Sequence, residues 1–357
     1  MSELDHDMHI TEGETQKSGT GFFSRLKDSI GSISLTVLLM GLVVLLSLFA
    51  LMIGPFQLSF VDVVQTLLGQ GSSAAETVIF NIRLPRIFAA LMVGAALAAA
   101  GASYQALFRN PLVSPDILGV SAGAGLGAVL GIFLSLPVFA IQFFAFAGGM
   151  AAVFLVGLIA AIIRNADQTL VLVLTGVVIG SLAGAATSLL KVLADPYDQL
   201  PAITFWLLGS LASVTSGDLW PLLPLVVTGF VPLILLRWRV NVLSLGDDEA
   251  RSLGVNVVFV RGLVIIAATL VTASVTALAG VIGWVGLVIP HIARMLVGPE
   301  FVKLLPVSVL IGAGYLLMVD TLARTISVAE VPLGILTAVI GAPFFIWLLA
   351  RGGRGWS

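Results

Sequence analysis

Residues 262–293 read GLVIIAATLVTASVTALAGVIGWVGLVIPHIA, a run of 32 positions without a charged side chain. As one helix the run would be about 48 Å long, whereas the hydrocarbon core of a bilayer is about 30 Å thick. It is therefore too long for one membrane span and short for two. Gly280, Gly283 and Gly286 interrupt it, so the stretch predicts a tight hairpin of two short or partly re-entrant helices.

The whole chain of 357 residues is apolar, with 59% hydrophobic residues, 10% charged residues and a mean hydropathy of +1.12. Soluble chains carry about 25% charged residues, so the composition argues against a water-soluble enzyme and predicts that lipid surrounds most of the protein. The net charge of -2 provides no basic excess for binding nucleic acid. The absence of cysteine excludes disulfides, thiolate catalysis and cysteine-ligated metal sites.

Eight further apolar runs are long enough to cross a bilayer, which takes about 20 residues. These runs cover residues 33–53, 84–108, 117–135, 138–163, 169–190, 219–236, 304–322 and 333–350. Together with the hairpin they predict an all-α, polytopic membrane protein of about ten transmembrane helices.

Basic residues decide between nine and ten spans, because lysine and arginine concentrate on the cytoplasmic side of a membrane. Ten spans place both termini and 13 of the basic residues in the cytoplasm, whereas nine spans divide them 10 against 7. The four left outside by the ten-span arrangement are Arg83, Arg86, Lys191 and Arg324. We therefore predict a transmembrane domain over residues 33–352, preceded by a polar cytoplasmic tail over residues 1–32.

Glycines recur every four residues in two of the predicted spans. They are Gly119, Gly123, Gly127 and Gly131 in one, and Gly176, Gly180 and Gly184 in the other. Helices in lipid associate through small residues that let their backbones approach, so these glycines predict packing faces. The same faces would also be suited to lining a pore.

The longest charged segment between spans covers residues 237–261, and within it residues 243–255 read LSLGDDEARSLGV. Acidic residues favour a helix N-terminus, a basic residue favours the last turn, and glycine favours the C-cap. Asp247, Asp248 and Glu249 followed by Arg251 and Gly254 therefore predict a short helix at the membrane surface. This helix is either a solvated connector or a docking helix for a cytoplasmic partner.

The arginines on the predicted outer side need a reason to be there. Arg83 and Arg86 lie in the string IRLPR, and Arg324 follows Asp320 by four residues, a spacing at which an acid and a base on one helix can pair. The arginines either anchor the protein at lipid headgroups or form a cationic rim that receives an acidic protein or an anionic solute.

The sequence predicts no catalytic, cofactor-binding or metal-binding residue. Asp116 is expected to cap a span, Lys191 to reach the lipid headgroups, and His291 to lie at the interface. No series of intramembrane carboxylates forms a proton relay, and no GxxxxGK[ST] loop is present to bind ATP. If the protein works as a pump, its energy would therefore have to come from another protein.

Several strings together are similar to one transporter family: IRLPR, QALFRNPL, PDILGVSAGAGLG, FWLLGSL, LSLGDDEARSLGV, GLVIPHIARMLVG and EVPLGILTAVIGAPFFIWLL. They occur in order over about residues 33–352. The chain resembles the permease family that imports iron–siderophores, haem and cobalamin.

The resemblance implies the transmembrane subunit of a type II ATP-binding-cassette (ABC) importer in the bacterial inner membrane. Such an importer contains two copies of this subunit, separate ATPase subunits that bind ATP, and an extracytoplasmic solute-binding protein. Arg83, Arg86 and Arg324 correspond to the arginines that contact the binding protein. The pathway would lie between the two copies, lined by residues 169–190 and 200–214. The residues implied to dock the ATPase are Leu243, Gly246, Asp247, Asp248, Glu249, Arg251 and Gly254.

The cargo that the resemblance favours is a metal chelate, with a ferric siderophore first and haem, cobalamin or molybdate as alternatives. A passage poor in charge also suits a bulky chelate better than a bare ion. Two other classes of protein remain, an ion-coupled secondary carrier and a membrane-embedded enzyme. A carrier would transport without an ATPase, and an enzyme would need a cluster of buried polar groups.

Overall fold

The computed structural model describes residues 34–163, 167–327 and 329–351, and throughout these ranges the regular structure is helical. A π-helical segment, Thr77–Arg83, leads into α4, and a 3₁₀ turn, Pro115–Leu118, precedes α5. The predicted tail, residues 1–32, lies outside the described residues. The α-helices are α1 (Ser34–Met52), α2 (Phe60–Leu67), α3 (Ser73–Glu76), α4 (Leu84–Leu107), α5 (Val120–Phe133), α6 (Val138–Ile162), α7 (Gln168–Leu193), α8 (Gln199–Leu208), α9 (Ser216–Leu235), α10 (Arg237–Leu243), α11 (Asp247–Ser252), α12 (Val257–Ala279), α13 (Val285–Val297), α14 (Phe301–Ala323) and α15 (Leu333–Arg351).

The predicted all-α membrane fold is confirmed. Seven helices in the described part of the chain are long and apolar enough to cross a bilayer, and each of the ten predicted spans coincides with a helix. The shorter spans are α5 and α13, at about 20 Å each, and both follow a stretch of non-α backbone, as is common for discontinuous helices in transporters. The apolar helix α8 has 10 residues and is too short to cross.

The run over residues 262–293 forms the predicted hairpin of α12 and α13, but only α13 is short. The side chain of Asn256 accepts a hydrogen bond from the Phe259 backbone N–H and starts α12 before the charge-free run begins. As a result α12 has 23 residues, enough for a full span, and includes Arg261. It ends at Gly280, whose φ of +73° is a conformation that favours glycine.

Helix α4 lies in the centre of the bundle and packs against α12, α13 and α14. Its alanines and glycines make this approach possible. A Cβ atom on Gly94 would overlap the carbonyl of Gly312 in α14, and one on Gly101 would overlap the carbonyl of Gly286 in α13. These contacts bring backbones together, as expected of helix association in lipid.

The glycines predicted in the third span lie at helix contacts. Added Cβ atoms on Gly123 and Gly127 would overlap backbone atoms of α6, and one on Gly131 would lie 3.1 Å from the Ile141 Cα. Gly119 precedes α5 with a φ of +77° and faces α7. The face therefore holds α5 against both neighbours.

The glycines of α7 differ from one another. A Cβ atom on Gly176 would overlap the carbonyl of Ile117, whereas one on Gly180 would make only ordinary contacts with Ala122 and Gly119, both at 3.9 Å. Gly184 has nothing within 4 Å. The glycine face of α7 is therefore tightly packed at Gly176, whereas no other part of this chain packs against it at Gly184.

Candidate functional site

Two groups of charged residues lie at opposite ends of α4. We call the end formed by the start of α4, the end of α14 and the start of α15 the Arg86 end. The opposite end, with α11, the start of α12 and the loop after α4, is the α11 end. This separation matches the predicted partition of basic residues between two sides of a membrane.

Arg86 joins three elements at the Arg86 end. Its Nε donates to both oxygens of Asp320 in α14, at 2.9 and 3.0 Å. Its Nη1 and Nη2 donate to the carboxylate of Glu330, just before α15, at 2.8 and 2.9 Å. Asp320 is completely buried, whereas the Glu330 side chain is 38% exposed. One guanidinium therefore links α4 to a buried and to an accessible carboxylate.

The other two arginines at this end bind backbone carbonyls. Arg83 donates to the carbonyls of Leu51 and Phe56, and the Arg324 Nη2 donates to the carbonyl of Ala50 at 2.6 Å. The Arg324 Nε is buried with no hydrogen-bond partner among the described residues. Burial of the guanidinium lowers the pKa of Arg324 to about 10.

The arginines do not form the exposed rim that the sequence suggested. Arg83, Arg86 and Arg324 are only 3%, 6% and 6% exposed, because the chain after α1 and the start of α15 cover them. The predicted pairing of Asp320 with Arg324 is also wrong. Asp320 faces α4 and pairs with Arg86, while Arg324, just beyond the last turn of α14, points toward the end of α1.

At the α11 end, the short helix predicted from the sequence is confirmed as local structure. It begins at Asp247, after Gly246 with a φ of +139°, and Gly254 follows it with a φ of +79°. Asp248 and Arg251 pair at 2.8 Å on its exposed face. Ala250 is its only buried member, so most of α11 faces away from the bundle.

Asp247 connects α11 to two other segments. Its carboxylate accepts hydrogen bonds from the Arg261 Nη2 in α12, at 2.9 and 3.1 Å. The Arg109 Nη2, in the loop after α4, lies 3.6 Å from the same carboxylate. The carboxylate is therefore directed toward the membrane domain.

Some of the residues predicted to dock a partner are exposed to solvent and others are buried. Asp248, Glu249, Arg251 and Gly254 are exposed, whereas Leu243 and Gly246 are buried and Asp247 is intermediate. Two apolar residues were missed by the sequence analysis: Leu245 is 62% exposed and Leu253 is 57% exposed. Leucines on both sides of a charged helix were the available signal, because a solvated connector has no need of them.

The predicted pathway elements, α7 and α8, have faces that the rest of the chain leaves uncovered. Leu174, Val178 and Leu182 are all more than half exposed. The hydroxyl of Ser181 donates to the Val177 carbonyl in its own helix. Between Asp167 and Lys191 the sequence contains no charged residue, so this face is uncharged along its whole length.

Two isolated polar residues named from the sequence, Asp116 and His291, do not contribute to a ligand site. Asp116 accepts a hydrogen bond from the Ser121 hydroxyl rather than capping α5 through the backbone. His291 lies within α13, one turn before Arg294, which donates to the Gln105 amide oxygen at 2.9 Å. Within the described residues no three histidine or acidic side chains are close enough to hold a metal ion.

The family model described as the FecCD transport family matches residues 42–351. The chain belongs to the FecCD transport family. The permease is 41% identical over 325 residues to the molybdate import system permease protein MolB of Haemophilus influenzae, covering 87% of this chain and 95% of that protein. It is 41% identical over 324 residues to the Fe(3+)-citrate import system permease protein YfmE of Bacillus subtilis, covering 90% and 96%.

A solved structure supports the same assignment. The permease superposes with a TM-score of 0.82 and 39% identity on a chain of a candidate metal-chelate type ABC transporter in an inward-facing conformation. The match covers 89% of this permease and 99% of that chain. The fold is therefore that of an ABC transporter permease, and the resemblance noted from the sequence motifs is confirmed.

Proposed function

We propose that the permease imports a metal chelate, with a ferric siderophore as the first candidate, across the cytoplasmic membrane. The observation that carries the proposal is the match, over almost the full length, to the metal-chelate type transporter. Two copies of the permease would enclose the pathway, and a separate ATPase subunit would drive alternating access. A binding protein would deliver the cargo on the opposite side of the membrane.

The α11 end is proposed to face the cytoplasm. Its basic residues belong to the 13 that the ten-span arrangement places inside, against four outside. Both termini of the chain would then be cytoplasmic. This orientation puts α11 in reach of a cytoplasmic ATPase and Arg86 in reach of an external binding protein.

The proposed ATPase contact is α11 together with the two leucines that flank it. Leu245 and Leu253 provide apolar surface, and Asp248, Glu249 and Arg251 provide a charged rim around it. Apolar anchors within a polar rim are typical of protein interfaces. The contact accounts for two large apolar side chains that the permease itself leaves uncovered.

The proposed binding-protein contact lies at the Arg86 end. Three guanidiniums lie there beside only two carboxylates: Arg86 binds both Asp320 and Glu330, whereas Arg83 and Arg324 bind backbone carbonyls. The cluster therefore has an excess positive charge that an incoming carboxylate would balance. Because the arginines are buried in this conformation, docking would have to displace the segment between α1 and α2 that covers them.

The proposed cargo follows from the uncharged face of α7. A translocated oxyanion such as molybdate would need hydrogen-bond donors or cations along its route, whereas a chelate shields its metal within an organic shell. Molybdate remains the second candidate, because the MolB relative carries that name at 41% identity.

Reconstitution tests the proposal. The permease, its cognate ATPase subunit and binding protein are placed in proteoliposomes with ferric hydroxamates, ferric catecholates, haem, cobalamin or molybdate. We expect ATP-dependent uptake of a ferric chelate, and none with a hydrolysis-deficient ATPase. Uptake of molybdate alone would refute the cargo, and uptake without the ATPase subunit would indicate a secondary carrier.

A further inference from the structure

We infer that Asp247 is a positioning residue that couples the movement of α11 to α4 and α12, rather than a contact for the ATPase. The inference rests on the proposed docking of an ATPase at α11. It separates the acidic residues of this helix, which look equivalent in the sequence DDE, into one that faces the membrane domain and two that face outward.

The geometry around Asp247 carries the inference. Both carboxylate oxygens accept from the Arg261 Nη2, and Arg109 lies 3.6 Å away. The side chain of Arg261 is 14% exposed, so this pair is partly shielded from water and is less weakened by solvent than a surface pair. Asp247 therefore has a hydrogen-bonded partner in Arg261 and a second basic neighbour in Arg109, on two different elements.

Arg261 and Arg109 lie at the points where a movement of α11 would reach α12 and α4. Arg261 is in the second turn of α12, the first half of the α12–α13 hairpin. Arg109 comes two residues after the end of α4 and has a φ of +50°, an uncommon conformation for arginine. The loop that it belongs to leads to the 3₁₀ turn and α5. A shift of Asp247 would thus be passed to the central helix and to the hairpin.

Little else holds α11 in place. Ala250 is the only buried residue within it, and the backbone turns sharply at Gly246 and Gly254 on either side. Leu243 and Val255 anchor the flanking segments in the apolar core. Without the carboxylate of Asp247, the helix would keep its shape and its exposed face but would lose its polar link to the membrane domain.

Asp248 provides a matched comparison. Its side chain is 91% exposed, against 30% for Asp247, and its partner Arg251 belongs to the same helix. The same change from aspartate to asparagine at the two positions therefore removes the same charge from α11. Only the change at Asp247 removes a link to another element.

The first experiment uses the permease alone. Because the chain has no cysteine, Ser252→Cys on α11 and Leu112→Cys in the loop after α4 provide two unique spin-labelling sites. Electron–electron distance measurements should give a broader distribution in Asp247→Asn and an unchanged one in Asp248→Asn. Equal distance distributions in the doubly labelled parent protein and in both variants would overturn the inference.

The second experiment uses the complex with the co-expressed ATPase subunit in proteoliposomes. We expect Asp247→Asn to retain the ATPase on purification but to transport about five- to tenfold less cargo per ATP, a loss within the range expected when a coupling position is changed. Arg261→Gln removes the partner instead and should lower the ratio to a similar extent. If the two residues act as a pair, the double variant Asp247→Asn with Arg261→Gln should lose no more than either single change, whereas two unrelated defects would add.

Three results would contradict the inference. Loss of the ATPase from Asp247→Asn would make Asp247 a contact residue. An unchanged ratio of cargo to ATP would exclude a coupling role for Asp247. Additive losses in the double variant would exclude Arg261 as its partner. If the unmodified permease itself does not retain the ATPase, the proposed function fails, whereas the spin-label distances still decide whether Asp247 positions α11.

Discussion

Arg86 and Asp320 form a buried ion pair between α4 and α14, with the Arg86 Nε 2.9 and 3.0 Å from the two carboxylate oxygens. The two residues are 234 positions apart in the chain. Asp320 has no exposed surface, so its charge depends on this partner. The pair joins α4 and α14 at the Arg86 end, and the same two helices also touch at Gly94 and Gly312.

Removing one member of this pair should destabilise the permease strongly. Arg86→Gln leaves the buried carboxylate of Asp320 without its partner, which costs about 3–5 kcal/mol. Asp320→Asn leaves Arg86 paired with Glu330 and should therefore cost less. Thermal unfolding in detergent should show both losses, and the double variant should lose less than their sum. Arg251→Gln, which breaks the exposed pair with Asp248, serves as the control and should change stability by about 1 kcal/mol or less. Similar small losses of stability for all variants would argue against a buried ion pair between Arg86 and Asp320.

The glycine contacts predict opposite outcomes at two positions. Gly101→Val should abolish the folded permease, because its side chain would overlap the backbone of α13 at Gly286. Gly184→Val should leave folding intact, since a Cβ atom at this position would meet nothing within 4 Å beyond the backbone of its own helix. The fraction of monodisperse protein extracted from membranes measures both. If Gly184→Val folds but transports poorly, its face belongs to the pathway or to the contact with the second copy.

Replacing either leucine that flanks α11 should weaken binding of the ATPase subunit. Leu245→Ser and Leu253→Ser should each weaken co-purification of the ATPase subunit about tenfold, as expected for apolar interface anchors. Leu68→Ser is the matched control, because Leu68 is 70% exposed in the segment that leads to the Arg86 end. Equal retention by all three variants would rule out the leucines as the contact.

Removing the charge of Glu330 should increase the affinity of the permease for the binding protein. Its half-exposed carboxylate occupies both terminal nitrogens of Arg86, where it competes with a carboxylate arriving from outside. Glu330→Gln should therefore tighten binding about threefold, within the range for a single accessible ion pair, and high salt should reduce the gain. Glu76→Gln removes an exposed charge near the same end without touching Arg86 and should have little effect. Weaker binding by Glu330→Gln would argue against docking at Arg86.

The proposed orientation predicts which face reacts with an impermeant reagent. In the cysteine-free chain, Ser252→Cys on α11 should react with a membrane-impermeant maleimide only after the cells are opened. Glu76→Cys, in α3, should react in intact cells. The reverse pattern would place the α11 end outside and overturn the docking of a cytoplasmic ATPase.

The α11 motif shows how much local sequence can decide. The positions of Gly246, the acidic first turn, Arg251 and Gly254 predict the helix correctly, because capping and helix-end electrostatics act over a few residues. What the sequence could not show is that Asp247 points inward to Arg109 and Arg261 while Asp248 points outward. That difference depends on how α11 lies against segments elsewhere in the chain.

By itself the sequence determined that the protein spans a membrane, where the ten predicted spans lie, and which family its motifs resemble, since the length and apolarity of each run are local properties. The tertiary structure alone decided that the arginines of the Arg86 end are buried and that Asp320 pairs with Arg86 instead of Arg324. The physical reason is distance along the chain. Whether a charge is covered, and by which partner, depends on helices that meet in space after hundreds of intervening residues.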